Sequence, residues 1–165
     1  MDKSVDELVE EGFHYLKMGM IDEALDFFQN LVDRFPSEPL AHLGYAVLMD
    51  NIGRESEAIP LYLTALEMEL EGMNLRDALV GVASSYRTLG ESDEACRYIN
   101  RALKEFPEDP VVLSFAALIY YDKCDYGEAV YLLGKAMSLM DGSEDYDKYR
   151  SILRKKFLEI KNRRN

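Results

Sequence analysis

Ala83-Ser84-Ser85-Tyr86-Arg87-Thr88-Leu89-Gly90-Glu91-Ser92-Asp93-Glu94-Ala95 is the stretch from which the rest of the chain can be read. A small residue, an aromatic three places on, a glycine four further and then Glu-Ala describe two helical segments around one turn. The Glu-Ala pair recurs at Glu23-Ala24, Glu57-Ala58 and Glu128-Ala129, so the four anchor alanines are 34, 37 and 34 residues apart. Other offsets keep the same phase. Twelve residues before the anchors stand Gly12, Ala46, Ala83 and Ala117, and nine before stand Tyr15, Met49, Tyr86 and Tyr120. Five before come Gly19, Gly53, Gly90 and, in the last copy, Cys124. Four after are Phe28, Tyr62, Ile99 and Leu133, and seven after are Leu31, Ala65, Ala102 and Ala136. Six offsets in phase over four copies define a repeated unit.

Each unit has helical apolar spacing on both sides of its turn. In the first, Leu8, Gly12 and Tyr15 share one face, and Ala24, Leu25, Phe28 and Leu31 follow the break. The unit is therefore a pair of helices of about 13 residues, the turn glycine taking a positive φ where the first helix stops. Small residues let the paired helices approach closely, and a large ring fills the space beside them. Ser4 and Glu7 make a capping box for the first helix. Asp109-Pro110 sets an N-cap before a proline at the first helical position, and Glu38-Pro39 is a weaker version. Phe35-Pro36 and Phe106-Pro107 close the second helices of units one and three.

Unit two departs from its siblings, having Leu70-Glu71-Gly72 where a closing proline is expected. Its spacing predicts a second helix about a turn longer than the others, ended by Gly72, with Asn74 capping the next. Residues 143–161 carry a further stripe of Tyr146, Tyr149, Ile152, Leu153, Phe157 and Ile160. Such a helix is expected to cover the apolar face left at the end of a stack of hairpins. The expectation is a single all-α domain over residues 1–165, with units near 5–38, 39–75, 76–109 and 110–142 and a capping helix at 143–162, nine helices in all.

Composition narrows the function. The chain of 165 residues is 48% hydrophobic with 31 Asp and Glu against 19 Lys and Arg, a net charge of −12. That balance repels phosphate backbones and anionic lipid, so neither nucleic acid nor a membrane is an expected partner. The charge is uneven. Residues 1–149 carry 12 basic and 30 acidic side chains, whereas residues 150–165 carry seven basic and one acidic. Cationic side chains there complement the dipole at a helix C-terminus and can dock on the acidic repeats of this chain or another. No leader begins the sequence and no apolar run is long enough to span a bilayer, which points to the cytoplasm. Cys96 and Cys124, without a CxxC or a neighbouring His, are expected as reduced, small buried hydrophobes.

Catalytic chemistry finds no constellation. His14 and His42 lie on separate helices with no HExxH, and the sequence holds no GxSxG and no GxxxxGK[ST] cradle. His42 sits in an apolar slot and reads as a core or hairpin-contact histidine. No cofactor or metal is implied, and acidic pairs such as Glu10-Glu11 are solvated helix faces.

The unit of small-x-x-aromatic, Gly, Glu-Ala and closing proline over residues 5–141 resembles the tetratricopeptide repeat. Leu8, His42, Leu79 and Leu113 stand where that repeat commonly has tryptophan, Cys124 replaces a turn glycine, and Leu70 and Asp141 replace closing prolines. More narrowly, residues 58–160 resemble a family of small bacterial tetratricopeptide proteins. The resemblance implies a right-handed superhelical solenoid, four hairpins plus the capping helix, whose concave wall is lined by first helices.

Carried onto this sequence, the groove positions include Val9, Phe13 and Leu16 in unit one and Leu40, Leu43, Val47 and Asp50 in unit two. Asp77, Val80, Ser84 and Arg87 follow in unit three, and Val111, Ser114, Leu118 and Tyr121 in unit four. So apolar a wall asks to be covered, by a partner's peptide or helix or by the protein itself. A clamp for a C-terminal carboxylate is disfavoured, because Val9, Phe13, Asp77 and Gly81 hold the positions that would need cations and amides. Arg87 is the one cation expected in the groove, pairing either a ligand carboxylate or, in a salt bridge, Asp50 or Asp122. The resulting expectation is a non-enzymatic module that binds a protein or peptide in an apolar groove with an acidic rim. Its alternative is a self-associating protein, a homodimer included, whose groove is covered by its own C-terminal helix or by a second subunit.

Overall fold

Two helices form from each sequence unit, with the boundaries set by local chemistry. The structure, a computed structural model, describes residues 3–140, 149–156 and 158. Its elements are α1 (Val5–Lys17), α2 (Ile21–Arg34), α3 (Pro39–Asn51), α4 (Glu55–Glu67), α5 (Gly72–Thr88), α6 (Ser92–Glu105), α7 (Pro110–Asp122) and α8 (Tyr126–Leu139). Residues 149–156 and 158 are helical as well, and the described residues include no strand. Of the predicted stripe at the C-terminus, Tyr146, Phe157 and Ile160 lie outside the described residues.

The caps follow the sequence. The Ser4 hydroxyl oxygen accepts from the Glu7 backbone N–H, while the Glu7 carboxylate accepts from the Ser4 N–H at 2.8 Å. Asp109 Oδ1 accepts from the N–H groups of Val111 and Val112 at 2.8 and 3.0 Å, ahead of a helix that begins at Pro110. Glu38 precedes Pro39 without a side-chain cap bond. Helices α2 and α6 stop at Phe35 and Phe106, each followed by proline.

First helices end in one recurring turn. Gly19, Gly53 and Gly90 have φ of 75°, 75° and 81°, and Cys124 takes the same left-handed position at 64°. In three of these turns the next N–H reaches back five residues: Met20 to Tyr15, Arg54 to Met49 and Asp125 to Tyr120. Three otherwise orphaned carbonyls are satisfied in this way.

Unit two corrects the sequence reading. Helix α4 has 13 residues, no longer than its siblings, and is not ended by Gly72. It stops because Glu69 turns left-handed (φ 60°) and Leu70 is buried to 7% exposure. The extra residues lengthen α5 instead, to 17 residues. Asn74 is inside that helix rather than its cap, and Glu71 is the N-cap.

The chain divides into two compact units, residues 1–89 and 90–165. In the first, α1 to α3 pack around Ala24, Phe28, Leu31, Ala41 and Leu48. The Phe28 ring, fully buried, lies between two glycines. A Cβ on Gly12 or Gly44 would come within 2.6 or 2.7 Å of it. Gly81 repeats the device against the ring of Tyr62, which is 2% exposed.

In the second unit, α7 is buried along every residue from 111 to 119. Its neighbours are α6, α8 and the C-terminal helical segment. The Tyr149 ring stands edge-on to Phe115, centroids 6.1 Å apart, and Lys156 Nζ is 5.8 Å from the same ring. Tyr149 and Leu153 are buried, whereas Ile152, expected on the buried stripe, is 39% exposed. At 3.6 residues per turn, Ile152 lies about 60° from Tyr149 and about 100° from Leu153, on the far side of Tyr149 from Leu153.

Candidate interaction surface

A first helix flanked by its own second helix and by adjacent hairpins keeps only a narrow strip for any ligand. That geometry sorts the predicted groove residues. Val9, Phe13 and Leu16 are half-buried and pack against the Phe28 core, with the Phe13 and Phe28 rings 5.2 Å apart. Leu40 and Val47 on α3 are half-buried also. These five aliphatic and aromatic side chains, and Asp50, are partly exposed among the strip positions expected in the first unit.

Other expected positions do not face solvent, which corrects the sequence reading. Leu43 is 6% exposed, because α3 is packed by α1, α2, α4 and α5. Val80, on α5 against α3 and α4, is 2% exposed, and Ser84 is 9% exposed. In the second unit Val111, Ser114 and Leu118 are all at or below 1%. Tyr121 is half-buried, its ring 5.2 Å from that of Tyr126. Arg87 is half-buried on α5.

The polar groups of the first unit are built in rather than scattered. Asp50 Oδ2 accepts from the Tyr62 hydroxyl at 2.9 Å and Oδ1 from the Ser85 hydroxyl at 2.7 Å. One carboxylate thereby joins α3, α4 and α5. Arg76, only 2% exposed, donates to Asp77 Oδ1 from Nε at 2.9 Å and from a terminal nitrogen at 2.7 Å. Sequence reasoning missed this cation and singled out Arg87 alone. The available signal was Asp77, already placed on the strip, with an arginine next to it.

His42 is 8% exposed and its Nε2 lies 2.9 Å from the Pro36 carbonyl, the hairpin contact expected of it. Cys96 is buried and Cys124 exposed, both as free thiols. The expectation of two buried cysteines thus fails at Cys124, which is carried outward by its left-handed turn. Lys123 is raised above the ordinary lysine range, first by the neighbouring Cys96 sulfur and then by Asp93, 3.6 Å away. Among the described residues no cluster of His, Cys, Asp and Glu is arranged to hold a metal ion, and no helix is long and apolar enough to cross a membrane.

A family model described as "Tetratrico peptide repeat" matches residues 39–154, and a second, "Tetratricopeptide repeat", matches residues 12–37. The chain belongs to the tetratricopeptide repeat family. Mouse (Mus musculus) "Interferon-induced protein with tetratricopeptide repeats 3" is 30% identical over 152 residues, which are 87% of this chain and 37% of that protein. "Anaphase-promoting complex subunit CDC16" of Saccharomyces cerevisiae is 26% identical over 127 residues, 77% of this chain and 15% of the relative. The chain therefore spans well under half the length of these curated relatives. Among solved structures, "Crystal structure of APC/C hetero-tetramer Cut9-Hcn1" superposes with a TM-score of 0.75 at 21% identity, over 86% of this chain and 26% of that one. "Crystal structure of MamA" gives 0.69 at 20% identity, over 82% and 78%. These likenesses show the all-α tetratricopeptide fold. Tetratricopeptide repeats are protein–protein interaction modules.

Proposed function

We propose that the strip of the first unit binds a peptide or helical segment of a partner protein, without catalysis. The observation carrying this reading is that Val9, Phe13, Leu16, Leu40 and Val47 stay half-exposed on first-helix faces, with Asp50 at their margin. Aliphatic side chains there gain about 25 cal/mol per Å² when a ligand removes them from water. The neighbouring carboxylates favour a ligand with basic flanks. The expected setting is the cytoplasm, where free thiols persist.

Selection from a displayed peptide library, followed by fluorescence anisotropy, tests the reading. Leu40→Glu with Val47→Glu should lose affinity at least tenfold while keeping the helical circular dichroism of the parent. Phe13 is unsuitable for this purpose because it packs on Phe28. Equal affinity in parent and double variant would remove the assignment.

A second reading has its own observation. In the second unit the face expected to line the groove is buried, and Tyr149 of the C-terminal segment lies against it at Phe115. Self-coverage is therefore the better account of residues 90–165, and ligand capture the better account of residues 1–89. Tyr149→Ala should expose Phe115 and raise dye binding to apolar surface if the segment acts as a cover.

A further inference from the structure

Second helices repeat their environment until the last one. At one and eight residues after the anchor alanine stand Leu25 and Val32 in α2, Ile59 and Leu66 in α4, and Cys96 and Leu103 in α6. All six are half-buried or buried. The equivalent residues in α8 are Val130, 71% exposed, and Met137, 66% exposed. Tyr126 and Tyr131 beside them are 50% and 61% exposed, and where Gly134 would carry a Cβ there is open space. Helical geometry puts these residues on one continuous face of somewhat over a third of the circumference, with no charge inside it. The outward faces of α2 and α6 are unlike it, bearing exposed Asp22, Asp26 and Asp33, and Asp93, Arg97 and Lys104. The described part of the C-terminal segment is seated at Phe115 of α7 through Tyr149.

We infer that the outer face of α8 is a docking surface for α8 of a second copy of this chain, packed antiparallel about a two-fold axis near residues 131 and 132. Charge complementarity selects this occupant. The two charged residues of α8, Glu128 and Lys135, border the face on the same side. An antiparallel two-fold brings Glu128 of each copy opposite the other's Lys135, and in the same register Tyr126 opposite Met137. The ion pairs flank the seam as they do between coiled-coil helices, and the thioether meets an aromatic edge.

Head-to-tail stacking, with α1 of one copy on α8 of the next, is disfavoured by the first unit itself. Where the ring of the preceding hairpin enters, α3 and α5 have Gly44 and Gly81, but α1 has Glu10. A carboxylate at that point would be buried unpaired against an apolar face. The isologous pairing through α8 closes the assembly at two chains.

Sedimentation velocity on the full chain across a micromolar dilution series tests the inference. The parent should double in mass at the concentrated end. Val130→Glu, and the like-charged single variants Glu128→Lys and Lys135→Glu, should remain single chains with unchanged helical circular dichroism. Mixing Glu128→Lys with Lys135→Glu should restore the doubled mass, because each carries the charge the other lacks. Lys135 also donates to the Pro107 carbonyl at 2.8 Å, so the mixture separates loss of that bond from loss of the pairing. A parent that stays a single chain at every concentration, as when its own residues 159–165 cover α8, overturns the inference. So does a dimer that survives Val130→Glu, or a mixture that fails to associate.

Discussion

Ser85 on α5 donates its hydroxyl to Asp50 Oδ1 on α3 over 2.7 Å, a contact between residues 35 apart in sequence. The other oxygen of the same carboxylate is held by Tyr62, whose side chain is almost wholly buried. Two successive hairpins are thus tied at a point where side chains, not apolar area, fix their register.

Asp50→Ala should cost more than Ser85→Ala. The first leaves the buried Tyr62 hydroxyl without this acceptor, a loss of about 2–3 kcal/mol. The second removes one hydrogen bond of about 1 kcal/mol. Urea unfolding followed by circular dichroism should give midpoints in that order, and the reverse order would place the weight on Ser85 and its bond to the Gly81 carbonyl at 3.0 Å.

Gly12→Ala and Gly44→Ala should each destabilise by about 1–3 kcal/mol, since the added methyl meets the Phe28 ring from opposite sides. Phe28→Leu should cost less when combined with either alanine than alone. A double-mutant cycle measures this coupling, and strict additivity would show that the ring does not fill both spaces.

Cys124→Gly should raise stability by about 1 kcal/mol, because a β-carbon in the left-handed region carries a penalty of about that size. Gly53→Ala should lower it comparably, at φ 75°. Paired thermal melts decide the matter, and a neutral Cys124→Gly would mean that the exposed thiol compensates.

Burial raises the ionisation of the Tyr45 phenol above its ordinary value, with the nearby Glu57, Asp33 and Asp26 adding to the effect against Arg54. The folded chain then holds this proton to higher pH than the unfolded chain does. The associated stability is complete below about pH 10 and is lost as pH rises through the folded value. Ultraviolet titration should show tyrosine ionisation above the ordinary range, and Tyr45→Phe should reduce that late phase by one tyrosine.

Asp109→Ala should cost about 1 kcal/mol, as both Val111 and Val112 lose an acceptor at the start of α7. Asp109→Asn should recover most of it in the same unfolding assay.

The hairpins, their turns and most caps were legible because they depend on neighbours in sequence. Gly19 and Gly53 announce a left-handed turn by composition, and Ser4 with Glu7 announces a cap. The end of α4 was not legible in this way. A glycine at 72 looked like a terminator, whereas the backbone reverses at Glu69 and Leu70 is drawn into the interior. The groove residues were half legible for a related reason. Periodicity names the face of a helix but not how many helices cover it, so Val47 and the fully buried Leu118 looked alike. Arg76 was hidden by the same limit, since a long cation beside a carboxylate reads as solvated until its neighbours are known.

The ring of Phe28 belongs to one copy of the sequence repeat and is enclosed by glycines from two copies. The seam along which this protein separates therefore does not coincide with the seam along which its sequence repeats. A copy lost or duplicated at the sequence boundary would leave a socket without its ring or a ring without its socket. Cuts placed between Phe28 and Gly44 should be tolerated least, and lengthening or shortening of the array is easiest at turns such as that of Gly19, which no later hairpin encloses.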